Sequence, residues 1–311
     1  MDNISILFFG MKENGSHDFI INEILPQSKE KNVEFISYED SLVSEKTYDV
    51  FVYRARYQLN YPWGFIPTFE QVLEAVQKFK PKIIIQTDDE FWYEEYLYQH
   101  NSLGNHCELF LRQHHHWNYE YTDNTVHIPL GYYNDFDLNQ KSIIPIKDRI
   151  VNWSFIGCEK TDRRECIEKF LTIEKCVIGL QPDGIAQQLK NSNGITQLIG
   201  RKVVVETYLN TIFAPATRGW TTLDVMRLYE STMCGCIPVV AAPQDHCDIY
   251  FKYEENPPWI FSETWEQAAQ TCKDLLNDKD RLQEMQEQNL NWWNTRMSKI
   301  RSRVQQVFEV K

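Results

Sequence analysis

The sequence predicts an α/β protein built from two Rossmann-like halves. Three observations predict it. Short β-branched and aromatic runs alternate with helical patterns along the chain, as in a largely parallel sheet. Pro129-Leu-Gly-Tyr-Tyr133 ends that series, and the stretch from there to Lys147 is polar without clear period. The second series then holds a strand, a glycine loop, a helix, a tight turn and a strand in direct succession over residues 213–240. The 311 residues suffice for two such domains.

Ile4–Phe9 reads as the first strand and ends at Gly10. A helix follows over His17–Lys31, limited or kinked by Pro26. Val33–Tyr38 and Asp49–Tyr53 are the next strands. Thr68–Phe79 is a helix with Thr68 as its cap, stopped by Pro81. Lys82–Gln86, Glu108–Arg112 and Thr125–Ile128 complete the first half. The second opens with strand Trp153–Ile156, helix Asp162–Leu171 and strand Lys175–Gly179. A mixed segment, Val203–Asn210, precedes strand Thr211–Ala214, helix Thr222–Met233 and strand Ile237–Ala241. Helix Thr264–Leu276 follows. Asp278–Val307 is a long polar helix marked by Leu282, Met285, Leu290, Trp293 and Met297. The resulting boundaries are 1–140, 141–290 and a final helical segment, 291–311.

Net charge is −12, which disfavours a nucleic-acid backbone as main partner. Nine Trp, sixteen Tyr and seventeen Phe make the chain rich in aromatics. Flat apolar faces suit carbohydrate, although most such rings fill cores. The eight Cys include no CxxC pair and read as reduced, mostly buried thiols. No run of about 18 apolar residues suggests a membrane span, and no leader pattern opens the chain. A cytoplasmic protein is expected, in the host cytoplasm if viral.

The chemistry should concentrate in 213–240. The segment from Pro215 to Thr222 follows a strand's carboxyl end, where open α/β sheets bind ligands. Thr221 or Thr222 can cap the next helix, whose free N–H groups favour an anion such as diphosphate. Arg218, next to Gly219, supplies a planar charge in that loop. Arg227 and Glu230 are three apart on the helix and share a face. A glutamate there can accept both hydroxyls of a ribose, and an arginine beside it can reach a phosphate. The plain alternative is a surface ion pair worth about 0.3 kcal/mol.

Arg227-Leu-Tyr-Glu230 followed by Gly235-Cys-Ile-Pro-Val239 resembles the exostosin-type glycosyltransferases, family 47. Phe213-Ala-Pro215 and Arg218-Gly219 fit the same resemblance. A weaker likeness covers Ser154-Phe-Ile-Gly157 with Arg163 and Arg164. Leu111-Arg112 and Ile128-Pro-Leu-Gly131 resemble ribitol-xylosyltransferase-like members. The resemblance implies a GT-B fold: two facing Rossmann-like domains, with a C-terminal helix crossing back to the first. It implies that Glu230 binds the ribose of a UDP-sugar. Arg227, Thr221, Thr222, Gly157, Arg163 and Arg164 would surround the donor. It implies inverting transfer to a glycan hydroxyl without an essential metal or cofactor, xylose being the first sugar to test. Family members usually carry an anchor, so its absence here suits a virus or bacterium.

Inverting transfer needs a base for the acceptor proton. Asp88 and Asp89 follow the strand at Gln86 and are the candidates, with Trp92 and Tyr93 placed to stack on sugar. A solvated acidic loop is the competing reading. Glu13, His17 and Asp18 are second candidates, and Arg54 and Arg56 could hold an acceptor. His114-His115-His116 does not suit a metal, because adjacent side chains diverge. Two rivals remain. One is a metal-dependent GT-A enzyme using Asp88-Asp89-Glu90, and the other is a non-catalytic carbohydrate-binding protein. Neither GxGxxG nor a P-loop motif occurs.

Overall fold

The computed structural model describes residues 3–10, 17–55, 67–88, 99–114, 120–136, 138, 141–158, 161–181, 200–219 and 222–309. The chain divides into two compact units, Met1–Asn134 with Arg296–Lys311, and Asp135–Thr295.

The first unit carries a six-stranded sheet. Its strands are β1 (Asn3–Phe9), β2 (Glu30–Ile36), β3 (Val50–Ala55), β4 (Ile83–Asp88), β5 (Leu109–Arg112) and β6 (Thr125–His127). All pair in parallel, in the order β2-β1-β3-β4-β5-β6. The expected helix over His17–Lys31 is much shorter. A single helical turn, α1 (His17–Phe19), runs into a π-helical turn, Ile20–Ile24. Leu25 is extended, as a residue before proline prefers, and Glu30 already pairs with Asn3 in the sheet. The short helix α2 (Tyr38–Val43) begins at the last residue of the expected strand Val33–Tyr38 and was missed.

The helix α3 (Phe69–Phe79) starts at a full capping box. Thr68 Oγ1 accepts from Gln71 N at 3.3 Å, and Gln71 Oε1 accepts from Thr68 N at 2.9 Å. It ends at Lys80 in the left-handed region, before Pro81. Its buried stripe, Val72, Ala75, Val76 and Phe79, packs on the face bearing Leu7, Phe9, Phe51, Ile84 and Phe110. On the chain's C-terminal segment, Arg301 Nε donates to Glu23 O at 2.6 Å, and Lys29 lies 5.2 Å from the Phe308 ring centroid.

The second unit carries β7 (Val151–Cys158), α4 (Thr161–Phe170), β8 (Cys176–Gln181), α5 (Arg201–Asn210) and β9 (Thr211–Pro215). Then come α6 (Met226–Met233), β10 (Ile237–Ala241), α7 (Gln244–Tyr250), β11 (Ile260–Ser262) and α8 (Trp265–Leu275). Its parallel sheet has the order β11-β10-β9-β7-β8. Trp153, Phe155, Phe170, Ile212, Phe213, Val239 and Trp265 form its core.

The final helix, α9 (Lys279–Glu309), runs 31 residues. Its polar pattern has a reason. Gln283 accepts from Ile146 N, Gln286 donates to Ile144 O and Gly235 O, Asn289 to Pro258 O, and Trp292 to Glu254 O. These residues recur every three positions, so a polar stripe runs beside the apolar one and satisfies loop backbone. No helix among the described residues is long and apolar enough to cross a membrane.

Arg149 ties the second unit together. Its Nε donates to Ile144 O at 2.9 Å, Nη1 to Tyr208 O at 3.2 Å and to Thr211 O, and Nη2 to Cys234 O at 2.7 Å. One buried cation thus serves the carboxyl ends of α5 and α6, where positive charge is favoured. The α6–β10 turn passes through Gly235 at φ 71°. A Cβ there would lie 2.8 Å from Ile143, 2.9 Å from Arg149 Nη2 and 3.0 Å from Gln286 Nε2. Cys236 Sγ donates to Tyr208 O at 3.0 Å. Glycine and cysteine in the Gly-Cys-Ile-Pro-Val run are therefore accounted for by packing and turn geometry.

Candidate functional site

In both sheets the strand order reverses between the first strand and the third. Open parallel sheets bind ligands at the carboxyl ends of the two strands flanking such a reversal. In the second unit these are β7 and β9.

Gly157 is the penultimate residue of β7. Arg227, on α6, extends to it. Its Nε donates to Ile156 O at 3.2 Å, and its guanidinium lies 4.7 Å from the Phe155 ring centroid. A Cβ at Gly157 would sit 2.5 Å from Arg227 Nη2. Glycine here admits the guanidinium against the backbone, which holds the charge at the strand end. Glu230 lies on the same helix and is buried. Both charges act on the buried Tyr208 phenol, Arg227 pulling its pKa down and Glu230 pushing it up, while burial dominates and raises it.

The loop after β9 supplies the other wall. Arg218 is exposed, and its Nε lies 3.4 Å from Asp162 Oδ2 at the start of α4. That pair joins α4 to the loop after β9, although an exposed pair adds little stability. Burial raises the Tyr250 phenol pKa and the Arg218 charge lowers it. Arg163 on α4 is buried and Arg164 is exposed. Gly219 N donates to Thr222 O at 2.9 Å.

The helix prediction from Thr222 needs correcting. The helix α6 begins at Met226, with Val225 at its cap position and no side-chain cap. Thr222 Oγ1 donates to Asp224 O at 2.9 Å, and Asp224 Oδ1 accepts from Tyr229 OH at 2.6 Å. The Thr222 hydroxyl expected to cap the helix instead bonds within the segment that precedes it. Thr217, which sequence reasoning passed over, is buried in the same loop, and among the described residues its hydroxyl has no partner.

In the first unit the reversal falls between β1 and β3. His17 lies beyond β1, its ring edge-on to Phe8 and Phe35. Asn134 Nδ2 lies 2.8 Å from its Nδ1. Arg54 sits half-buried near the end of β3, and its buried Nε has no partner among the described residues. Asp88 ends β4, opposite Ala55 in register. Glu13, Arg56, Asp89, Glu90, Trp92, Tyr93, His115, His116 and Thr221 lie outside the described residues. No group of three His, Cys, Asp or Glu side chains that could hold a metal occurs among the described residues.

A buried polar layer at the carboxyl end of this sheet was not foreseen. Tyr53, Gln86 and Arg112 stand in register across β3, β4 and β5. Tyr53 OH donates to Gln86 Oε1 at 3.0 Å and lies 2.9 Å from His100 Nδ1. Burial, helped by the Arg112 charge, pushes the His100 imidazole down to about 3. Arg112 Nη1 donates to Asn101 Oδ1. One signal was available. Arg112 shares a strand face with Phe110, two residues back in an apolar run.

The fold has relatives among solved structures. A DNA-modifying β-glucosyltransferase, studied with and without uridine diphosphoglucose, superposes with TM-score 0.52 at 12% identity, over 99% of this chain and 100% of that one. T4 phage BGT in complex with its UDP-glucose substrate gives 0.51 at 12% identity, with the same coverage. The chain has the GT-B fold. A putative UDP-N-acetylglucosamine 2-epimerase from Listeria monocytogenes is equally similar, at 0.52 and 9% identity, over 98% of this chain and 97% of that one. At these identities the likeness fixes the fold alone. The GT-A alternative falls, because the two separate parallel sheets match GT-B structures. No protein-family model matches the chain, and no curated protein sequence does. The exostosin resemblance therefore rests on its motif residues.

Proposed function

We propose that this protein is an inverting glycosyltransferase that moves a sugar from a UDP-sugar to a hydroxyl of a glycan acceptor. The observation that carries this reading is the placement of Arg227. Its guanidinium is held at the end of β7, against Gly157, at the strand reversal of the second sheet. A diphosphate at that reversal would meet a fixed cation. Glu230, one turn further along α6, is the ribose-binding candidate, as the exostosin resemblance implies. Arg218, Gly219, Thr222, Arg163 and Arg164 flank the same strand ends. Thr217 adds a buried hydroxyl. Thr221 belongs to this group by sequence.

In the reaction an acceptor oxygen bonds to the sugar C1. The bond from C1 to the diphosphate oxygen breaks, and UDP leaves with the electron pair. A carboxylate takes the acceptor proton, Asp88 or Asp89 being the candidate. Arg227 offsets charge that grows on the leaving diphosphate. His17, Arg54, Arg56, Trp92 and Tyr93 are the acceptor-side candidates. Xylose is the first donor sugar to test, and the reaction is expected to run without metal.

Calorimetric titration of UDP, GDP and ADP, each with and without EDTA, tests the donor assignment. UDP alone should bind, with EDTA present, and Glu230→Ala should weaken it by about 1.5–3 kcal/mol, as for lost charge-assisted hydrogen bonds. Binding that ignores Glu230 refutes the assignment. Because the fold is shared with a putative epimerase, product analysis must follow. UDP release that depends on an acceptor supports transfer. Conversion of the UDP-sugar without acceptor refutes it.

A further inference from the structure

We propose that Arg112 anchors an oxyanion-binding subsite in the N-terminal unit. It would take a carboxylate or phosphate side-on. That the anion belongs to the acceptor rests on the transferase reading above, but the subsite itself does not.

Two buried arginines of the chain are satisfied differently. Arg149 uses every nitrogen of its guanidinium on backbone carbonyls. Arg112, only 1% exposed, does not. Its Nη1 donates to Asn101 Oδ1, and the half-buried Tyr121 ring lies 5.3 Å from its Cζ. Among the described residues its Nε and Nη2 are buried without a hydrogen-bond partner. Those two nitrogens form the side-on edge of a guanidinium, the edge that grips two oxygens of one oxyanion.

Among the described residues no carboxylate pairs with Arg112. Gln86, opposite it in register, gives its side-chain oxygen to Tyr53. Asn101 has its side-chain nitrogen tied to Glu120 O at 3.3 Å. His100 is neutral under ordinary conditions, so it adds no second charge. Leaving a buried cation unpaired costs a large part of a domain's net stability. Structural demand does not account for such an arrangement, since Arg149 shows how this chain satisfies an arginine used structurally. The place also fits a ligand. Arg112 ends a strand at the carboxyl end of a parallel sheet. Both nitrogens are out of solvent contact, so binding must shift their cover. Association should run well below the diffusion limit.

The experiment titrates the full chain with glucuronate, inorganic phosphate and neutral glucose, and repeats this on Arg112→Gln and Arg112→Lys. UDP is titrated into each sample separately. At least one anion should bind ten-fold or more tighter than glucose. Arg112→Gln should abolish that preference. Arg112→Lys, which keeps the charge but loses the two-pronged edge, should recover it only in part. Glucuronate alone marks a carboxylate source, and phosphate alone a phosphate source. Without ligand, Arg112→Gln should melt at or above the parent temperature, because it removes an uncompensated buried charge. The proposal is overturned if neither anion beats glucose, or if the preference survives Arg112→Gln. It is equally overturned if Arg112→Gln lowers the melting temperature and leaves anion binding intact. Loss of UDP binding in the parent, with anion binding present, would sink the transferase reading and leave this one standing.

Discussion

Gly157→Ala should weaken UDP binding without weakening the fold. A Cβ at 157 would lie 2.5 Å from Arg227 Nη2, whereas ordinary contact begins at 3.4 Å. The guanidinium must therefore retreat by about 0.9 Å, the difference 3.4 − 2.5. That retreat breaks the 3.2 Å bond to Ile156 O and moves the charge off the Phe155 ring. A charge-assisted hydrogen bond is worth about 1.5–3 kcal/mol. Losing one to the diphosphate lowers affinity by about 10- to 150-fold. Stability should barely change, because the obstructing atom is the far end of a flexible side chain. Replacing glycine also reduces unfolded-state freedom, which adds about 0.4–1 kcal/mol where the backbone is compatible.

The assay is a double-mutant cycle with Arg227→Ala, read by UDP calorimetry and urea denaturation. If Gly157 acts only by admitting Arg227, then Gly157→Ala has no further effect once Arg227 is gone. Additive losses, or a fold weakened by more than about 1 kcal/mol, would refute the reasoning.

Two further perturbations follow from named contacts. Gly235→Ala forces a side chain into the left-handed region and against Arg149 and Gln286; urea denaturation should show a loss of about 2–4 kcal/mol from strain and broken hydrogen bonds, and a loss below about 1 kcal/mol would contradict the packing account. His100 titrates at about 3 in the fold against 6.5 when free. The unfolded chain therefore takes up the proton first as pH falls. Stability is full above 6.5 and drains away as pH drops from there towards 3, by about 2 kcal/mol at pH 5. Denaturation at pH 7.5 and pH 5 should show that extra loss in the parent but not in His100→Gln, and parallel losses in both would count against it.

The strands were legible because β-branched runs mark them: Ile4–Phe9 became Asn3–Phe9, and Ile237–Ala241 was met to the residue. The Thr68 cap was legible because a threonine stands three residues before a glutamine. The start of α6 was not. Thr221-Thr222 before an apolar run imitates a cap, and only the local bonds from the Thr222 hydroxyl to Asp224 O and from the Tyr229 hydroxyl to the Asp224 carboxylate show Thr222 otherwise engaged. Short elements such as β11 and α7 give too few residues for a period to register. Arg149 and Arg112 were invisible as buried charges, since a lone arginine reads as surface in one dimension.

The motif that carried the family resemblance divides into two parts once the structure is laid beside it. Gly235 and Cys236 serve a turn, gripped by Arg149, Gln286 and the Tyr208 carbonyl. That turn fixes where α6 ends, and so fixes the helix carrying Arg227 and Glu230 beside β7. A Gly-Cys-Ile-Pro-Val run therefore attests to a way of packing a helix against a parallel sheet. By itself it attests to no chemistry. The chemical claim rests on the other part, where Arg227 meets the backbone at Gly157. This explains why a resemblance confined to some forty residues can point to the correct fold while leaving donor, acceptor and base to be measured. It also ranks the tests. A variant at Gly235 asks whether the scaffold is understood, and one at Gly157 or Glu230 asks whether the site is.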